Sequence, residues 1–356
     1  MLGRQRRRDA VLRWQRPAAA LGLVLASVLA CLPAVADAVA EAVTPPPGPR
    51  PIPVHVGFYL LNLVSVDERS ETSEADVYLD VLWKDPRLGF EPKPGEPLFR
   101  TYQGDSAADR LEEIWWPDLE FVNTASPEIT NRTLYVRADG TVSYRLGVSG
   151  VFRTNLDLRR FPFDEQVLDI RLQSFEGDAG LLVFEPDTKR MGWNEKDDYA
   201  GLAILGVAAR TETNSVEGWN ENYSELVVEI SVQRSPSFFL WTVFLPVALV
   251  LLLSCTIFFV DIEGFHDRVA IALACFLACV ATQFAMSFNL PRISYLTPVD
   301  RLFLVTYGCM SLGVAVSVWQ KTRLRNSPDL LERTDRIAAA AIPILYGLLV
   351  VFVVLP

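Results

Sequence analysis

The 356 residues are half hydrophobic and carry a formal net charge of −10, with two histidines and five cysteines. An acidic chain of this kind has no electrostatic footprint for nucleic acid, and its acidity suits cations as partners. Residues 50–235 hold most of the charge and 236–356 run almost without it, which excludes one uniform soluble domain.

The chain opens with six arginines between Arg4 and Arg16, then the apolar run AAALGLVLASVLACLPAVA, with small residues at Ala34 and Ala36. This is the pattern of an export signal, so residues 1–36 are assigned to a signal peptide. An uncleaved anchor and a lipoprotein box at Val28-Leu29-Ala30-Cys31 are the alternatives. Removal of that segment takes six arginines and one aspartate with it and moves the net charge to −15.

A proline-rich leader, residues 45–53, enters residues 37–235, which read as an all-β, immunoglobulin-like sandwich outside the membrane. ADVYLDVLW, TLYVRADGTVSYRLGV, FDEQVLDIRLQSF, LAILGVAARTE and ELVVEISVQR alternate apolar and polar residues and are divided by turn chemistry such as Asp139-Gly140. No convincing amphipathic helix interrupts them. Asn131-Arg-Thr and Asn222-Tyr-Ser would be glycosylated only in a eukaryotic host. The four cysteines beyond Cys31 all lie in apolar runs, so no disulfide is expected in the exported part, and Cys275 and Cys279 read as small membrane-core residues rather than metal ligands.

Residues 236–356 form an all-α domain of four spans in the lipid bilayer, Phe238–Val260, Val269–Leu290, Leu302–Trp319 and Ile337–Leu355. With the sandwich exported, the link between spans three and four is cytoplasmic. It carries Lys321, Arg323, Arg325, Arg333 and Arg336, as the positive-inside rule requires, and the C-terminus ends outside the plasma (inner) membrane. The other inner loop, DIEGFHDR, is acidic instead.

Small motifs in linear order narrow the reading. Trp83-Lys84-Asp85-Pro86-Arg87-Leu88, Trp115-Trp116-Pro117-Asp118, and Asp157 with Phe161-Pro162-Phe163-Asp164 and Gln166 precede Arg234 at the end of the last strand, Pro246 inside the first span and Leu290-Pro291-Arg292 after the second. In these features the chain resembles the pentameric ligand-gated ion channels, the Cys-loop receptor superfamily, across about residues 52–356. Thr154 and Leu168 stand where animal members have the loop cysteines, as in bacterial members.

The resemblance implies a homopentamer that conducts inorganic cations when a small-molecule agonist, an amine or protons, binds between subunits. It implies coupling through Asp67, Glu68, Phe161, Pro162, Phe163, Asp164, Arg234 and Pro291, with Asp67 or Glu68 joining Asp164 and Arg234 in a charged cluster. The two phenylalanines would be buried against the linker between spans two and three; within one domain they would be plain core residues. Ala270, Ala274, Leu277, Ala281, Phe284 and Phe288 would line the pore, at the three- and four-residue spacing of one helical face. Asp267 and Glu263 would set cation selectivity at the inner mouth, weakened if Arg268 pointed inward. Tyr78, Phe175, Trp219 and Tyr223 would form the aromatic ligand box, which lacks an aromatic at Val122.

His266, beside Asp267, reads as a solvated loop residue or as a titrating group at the mouth, and His55 as a residue of the first strand. No cofactor is expected. The exported part has one histidine, no cysteine and no G-x-S-x-G, which argues against a tethered hydrolase. A non-conducting membrane-anchored sensor remains the alternative, because the pore stripe carries no hydroxyl or amide.

Overall fold

The computed structural model describes residues 43–124, 126–175, 177–195, 199, 201–216, 221–288, 293–324 and 327–354. The expected signal peptide, Trp219, Pro291 and Arg325 lie outside them. Ten strands are present among the described residues: β1 (Ile52–Asp67), β2 (Thr72–Lys84), β3 (Phe99–Gln103), β4 (Leu119–Phe121), β5 (Glu128–Arg137), β6 (Thr141–Arg153), β7 (Glu165–Ser174), β8 (Leu182–Trp193), β9 (Leu202–Val216) and β10 (Glu221–Arg234). They make a six-stranded sheet, β3-β5-β6-β2-β1-β8, and a four-stranded sheet, β4-β7-β10-β9.

Two-residue periodicity decides what lies between the sheets. On β2, Ala75, Val77, Leu79, Val81 and Trp83 are buried, and on β7 Leu168, Ile170 and Leu172 are. Each such side chain contributes about 1.5–3 kcal/mol of burial. Trp83 meets Trp115 edge to face at 6.4 Å, which fixes the loop before β4 to the core. The β5–β6 hairpin turns at Gly140, whose φ is 81° and where a Cβ would stand 2.5 Å from the Asp85 carbonyl. Only glycine fits there.

One element departs from the sequence reading. A helix, α1 (Asp105–Glu112), joins β3 to β4 and buries only Ala107 and Leu111. Its two inward residues are spaced i, i+4 on one helical face, but two apolar positions are too few to stand out among ten strands in the sequence.

Four apolar helices follow: α2 (Ser237–Phe259), α3 (Phe265–Ser287), α4 (Pro298–Arg323) and α5 (Pro328–Val354). In α2 the turn at Leu240–Phe244 is a wide π turn, directly before Pro246, whose ring clashes with the carbonyl four residues back and supplies no N–H. The third and fourth spans begin earlier than hydropathy suggests. Thr297 caps α4 reciprocally with Asp300, with Pro298 in the first turn, and Pro328 starts α5. Charged helical turns outside the lipid are still helix, and a hydropathy window cannot see them.

Candidate functional site

The junction of sandwich and helices is built by chain continuity. β10 ends at Arg234 and α2 starts at Ser237, while β7, paired with β10, starts just after the Phe161–Asp164 loop. That loop therefore lands on the first turns of α2. Arg234 Nε donates to Asp164 Oδ1 at 3.1 Å, Nη1 lies 2.6 Å from Glu68 Oε1, and the Arg234 backbone N–H donates to the Asp164 carbonyl. Asp164 is 1% exposed, and its second oxygen accepts from Gln166 Nε2 at 2.6 Å. Arg234 also lies over the Phe161 ring, 5.0 Å from its centroid.

Between the two candidate acids of the β1–β2 turn, Glu68 makes the contact. Asp67 instead accepts from the backbone N–H groups of Arg69 and Ser70. Hydrogen bonds from Ser70, side chain first and then backbone, hold the Asp67 carboxyl below the usual carboxylate range. With a depressed folded value, any stability it adds is fully present above the ordinary carboxylate pKa and is lost as pH falls through the lower folded one. Asp67→Asn is thus expected to leave the pH dependence of thermal unfolding unchanged between about pH 5 and 8.

The linker residues 289–292 lie outside the described ones, and both phenylalanine rings meet the start of α2. Phe161 packs edge to face on Phe239 at 4.7 Å and Phe163 on Phe244 at 6.1 Å, both on α2. The turn before them reaches the described part of the α3–α4 linker. The Leu158 N–H donates to Tyr295 Oη at 3.1 Å, and Arg159 lies over the Tyr295 ring at 5.4 Å. Tyr295 was not singled out in the sequence, since its partner is 137 residues away. Tyr295→Phe should cost about 1 kcal/mol, the net worth of one hydrogen bond, measured by thermal unfolding against Leu296→Ala.

α3 is the least enclosed of the four helices. Within its apolar segment 6% is buried, against 39% for α2 and for α4 and 22% for α5. Its packed face carries Arg268, Ala272 and Cys279, with Gln283 accepting from the Tyr307 hydroxyl on α4 at 2.7 Å. At about 100° per residue, Ala270, Ala274, Leu277, Ala281, Phe284 and Phe288 centre roughly 180° from that face. All six are exposed, and Phe284 and Phe288 touch edge to face at 4.8 Å.

At the other end of α3, Glu263 and Asp267 are exposed and Arg268 is 1% exposed. The guanidinium turns away from Asp267 into the bundle. It donates to Asp335 on α5 through Nη1 (3.1 Å) and Nη2 (2.9 Å), to Gln320 Oε1 on α4 and to the Val260 carbonyl. His266 is exposed beside it.

The aromatic candidates of the sandwich fall on different sheets. Tyr78 faces Tyr59 across β1 and β2 on the outside of the six-stranded sheet. Both line a cavity of about 520 Å³ with Arg145, Arg190, Asp80 and Gly147. Gly147 is needed there because a Cβ would come 3.0 Å from the Tyr78 ring. Asp80 accepts from Arg190 (2.7 Å), Arg145 (3.2 Å) and Ser143 (2.6 Å), clipping β2, β6 and β8 together. Tyr223 lies on β10 of the four-stranded sheet and Phe175 just past the end of β7, each two residues beyond the last pair, Gln173 with Glu225. Phe175 is exposed, Tyr223 is buried, and the loop A position Val122 is exposed. One subunit thus holds Tyr78 apart from the other two. Tyr59, Asp80, Arg145 and Arg190 were missed in the sequence, where nothing marks strands that meet only through the sheet order.

The Neurotransmitter-gated ion-channel ligand binding domain family matches residues 40–236, more than half of the chain. The chain is similar to the Proton-gated ion channel of Gloeobacter violaceus, 26% identical over 94% of this chain and 90% of that one. It is likewise 26% identical to the human Gamma-aminobutyric acid receptor subunits rho-2, over 84% of this chain, and rho-1, over 83%, and it spans 63% and 61% of those receptors' own length. With a ten-stranded sandwich leading into four membrane-length helices and the matching domain family, the chain belongs to the pentameric ligand-gated ion channels of the Cys-loop receptor superfamily, as a multi-pass membrane channel subunit and not an enzyme.

Proposed function

We propose that the chain forms a homopentameric, cation-selective channel opened by a small extracellular ligand bound between subunits. The observation that carries this is α3, whose apolar stripe of Leu277, Phe284 and Phe288 faces away from every helix of its own subunit. Five such stripes around an axis make a constriction that excludes water at rest. Exposed Asp267 and Glu263, with Arg268 withdrawn, support attraction of cations at the inner mouth.

The ligand box is assembled from two copies: the Tyr78 wall of one subunit opposite Phe175, Tyr223 and Trp219 of the next. Aromatic faces there would hold an ammonium group with about 0.5–2 kcal/mol per contact. The names of the relatives point to two stimuli to test, protons and an amine-bearing small ligand. Ligand binding biases the junction of Glu68, Asp164 and Arg234 and, through it, the tilt of α3, in proportion to its differential affinity for the two states. The signal peptide of residues 1–36, the exported part 37–235 and the membrane part 236–356, with its C-terminus outside the plasma (inner) membrane, complete this reading.

The test is single-channel recording from purified protein in planar bilayers under a salt gradient, while amines and pH are screened. Cation current evoked by one stimulus is expected. A pentamer silent under every stimulus would favour the non-conducting sensor, which the absence of any hydroxyl or amide along the stripe supports.

A further inference from the structure

We propose that Asp335, on α5, is a positioning residue for ion selectivity, because it holds the Arg268 guanidinium out of the inner mouth. The proposal rests on the channel reading above and adds a residue to it. Arg268 follows Asp267 directly in sequence, so each subunit brings one cation to the place where selectivity needs anions. In a fivefold ring, five arginines facing inward would cancel the charge of five Asp267 side chains.

The structure removes that cation by pairing. Both terminal nitrogens of Arg268 engage the two oxygens of Asp335, at 3.1 and 2.9 Å, a two-point geometry that guanidinium and carboxylate planes favour. Gln320 takes another Nη1 bond at 3.1 Å and is itself held by donation to Thr334 Oγ1 at 3.0 Å. The Val260 carbonyl takes Nε at 2.8 Å. Of these partners only Asp335 carries charge, and Arg268 is 1% exposed. A guanidinium buried there without its carboxylate is strongly disfavoured. Its long apolar stem lets the head move to water instead, and the exposed acids nearest in sequence are Asp267, on the same helix, and Glu263, in the turn before it.

Asp335→Asn keeps the shape and one acceptor oxygen but removes the charge and the second acceptor. It is expected to lower the sodium-to-chloride permeability ratio, from reversal potentials under a sodium chloride gradient, by at least about threefold. Asp335→Glu should restore most of the preference. The double variant Arg268→Gln with Asp335→Asn should return the ratio toward that of the unchanged chain, since no cation remains to swing. A loss of folding alone would not produce that rescue. A second readout needs no current: phenylglyoxal labelling of Arg268, mapped by mass spectrometry on the intact oligomer, should be slow in the unchanged chain and faster in Asp335→Asn. An unchanged chain that passes no current, or prefers anions, defeats the channel reading, while the labelling still decides where the guanidinium sits. Equal labelling of Arg268 with and without the Asp335 charge, or an unchanged permeability ratio in a conducting Asp335→Asn variant, overturns the proposal.

Discussion

Arg234→Ala is expected to destabilise the junction by about 3–5 kcal/mol, the range for removing one partner of a buried ion pair. The cost arises because the carboxylate of Asp164, 1% exposed, would then be met among the described residues by Gln166 alone. Glu68 would lose its partner across 2.6 Å as well, and Phe161 the cation over its face. Arg234 Nη2 is already buried with no partner among the described residues, so the cluster has little slack. Lysine supplies a point charge without the planar fork, so Arg234→Lys should fall between Arg234→Ala and the unchanged chain. Thermal unfolding of the detergent-solubilised protein reads the stability, and stimulus-evoked current reads the coupling. A variant that unfolds normally and still opens with the original stimulus dependence would show the cluster to be ornamental.

Leu277→Ala carries the second large effect, on gating rather than on folding. Leu277 is 66% exposed in a single subunit, so its truncation leaves no cavity in the helical bundle and should barely move the unfolding temperature. In the proposed ring of five, the same change would widen and wet the apolar constriction and weaken the resting state. A leftward shift of the stimulus–response curve of about tenfold, or a standing leak, is expected. Leu348→Ala on α5, 64% exposed, serves as the control for general effects of trimming an exposed apolar residue. If both variants behave alike, α3 does not face the axis.

Much of the architecture was legible because it is written locally. Strand alternation in β2, β7 and β10, the Asp139-Gly140 turn and four apolar stretches each need only neighbouring residues to be recognised. The failures share a cause too. The eight-residue α1 buries two side chains, too few to mark a helical face in the sequence. The polar first turn of α4 is held by the Thr297–Asp300 capping box, and that of α5 begins at Pro328 with no side-chain cap, so hydropathy marks neither. The contacts of the Phe161 and Phe163 rings with Phe239 and Phe244 were not read from the sequence, because they arise only where β10 delivers α2 beneath their loop.

By itself, the sequence determined the class of protein: an ordered set of short motifs, an alternating half and an apolar half, with one helical face of alanine, leucine and phenylalanine. Only the tertiary structure decided which acid meets Arg234, Glu68 and not Asp67, and which way Arg268 points. Those choices depend on pairs such as Arg268 with Asp335, 67 residues apart. A charge is assigned its partner by burial and by the geometry of packed elements, and neither quantity is contained in the order of neighbouring residues.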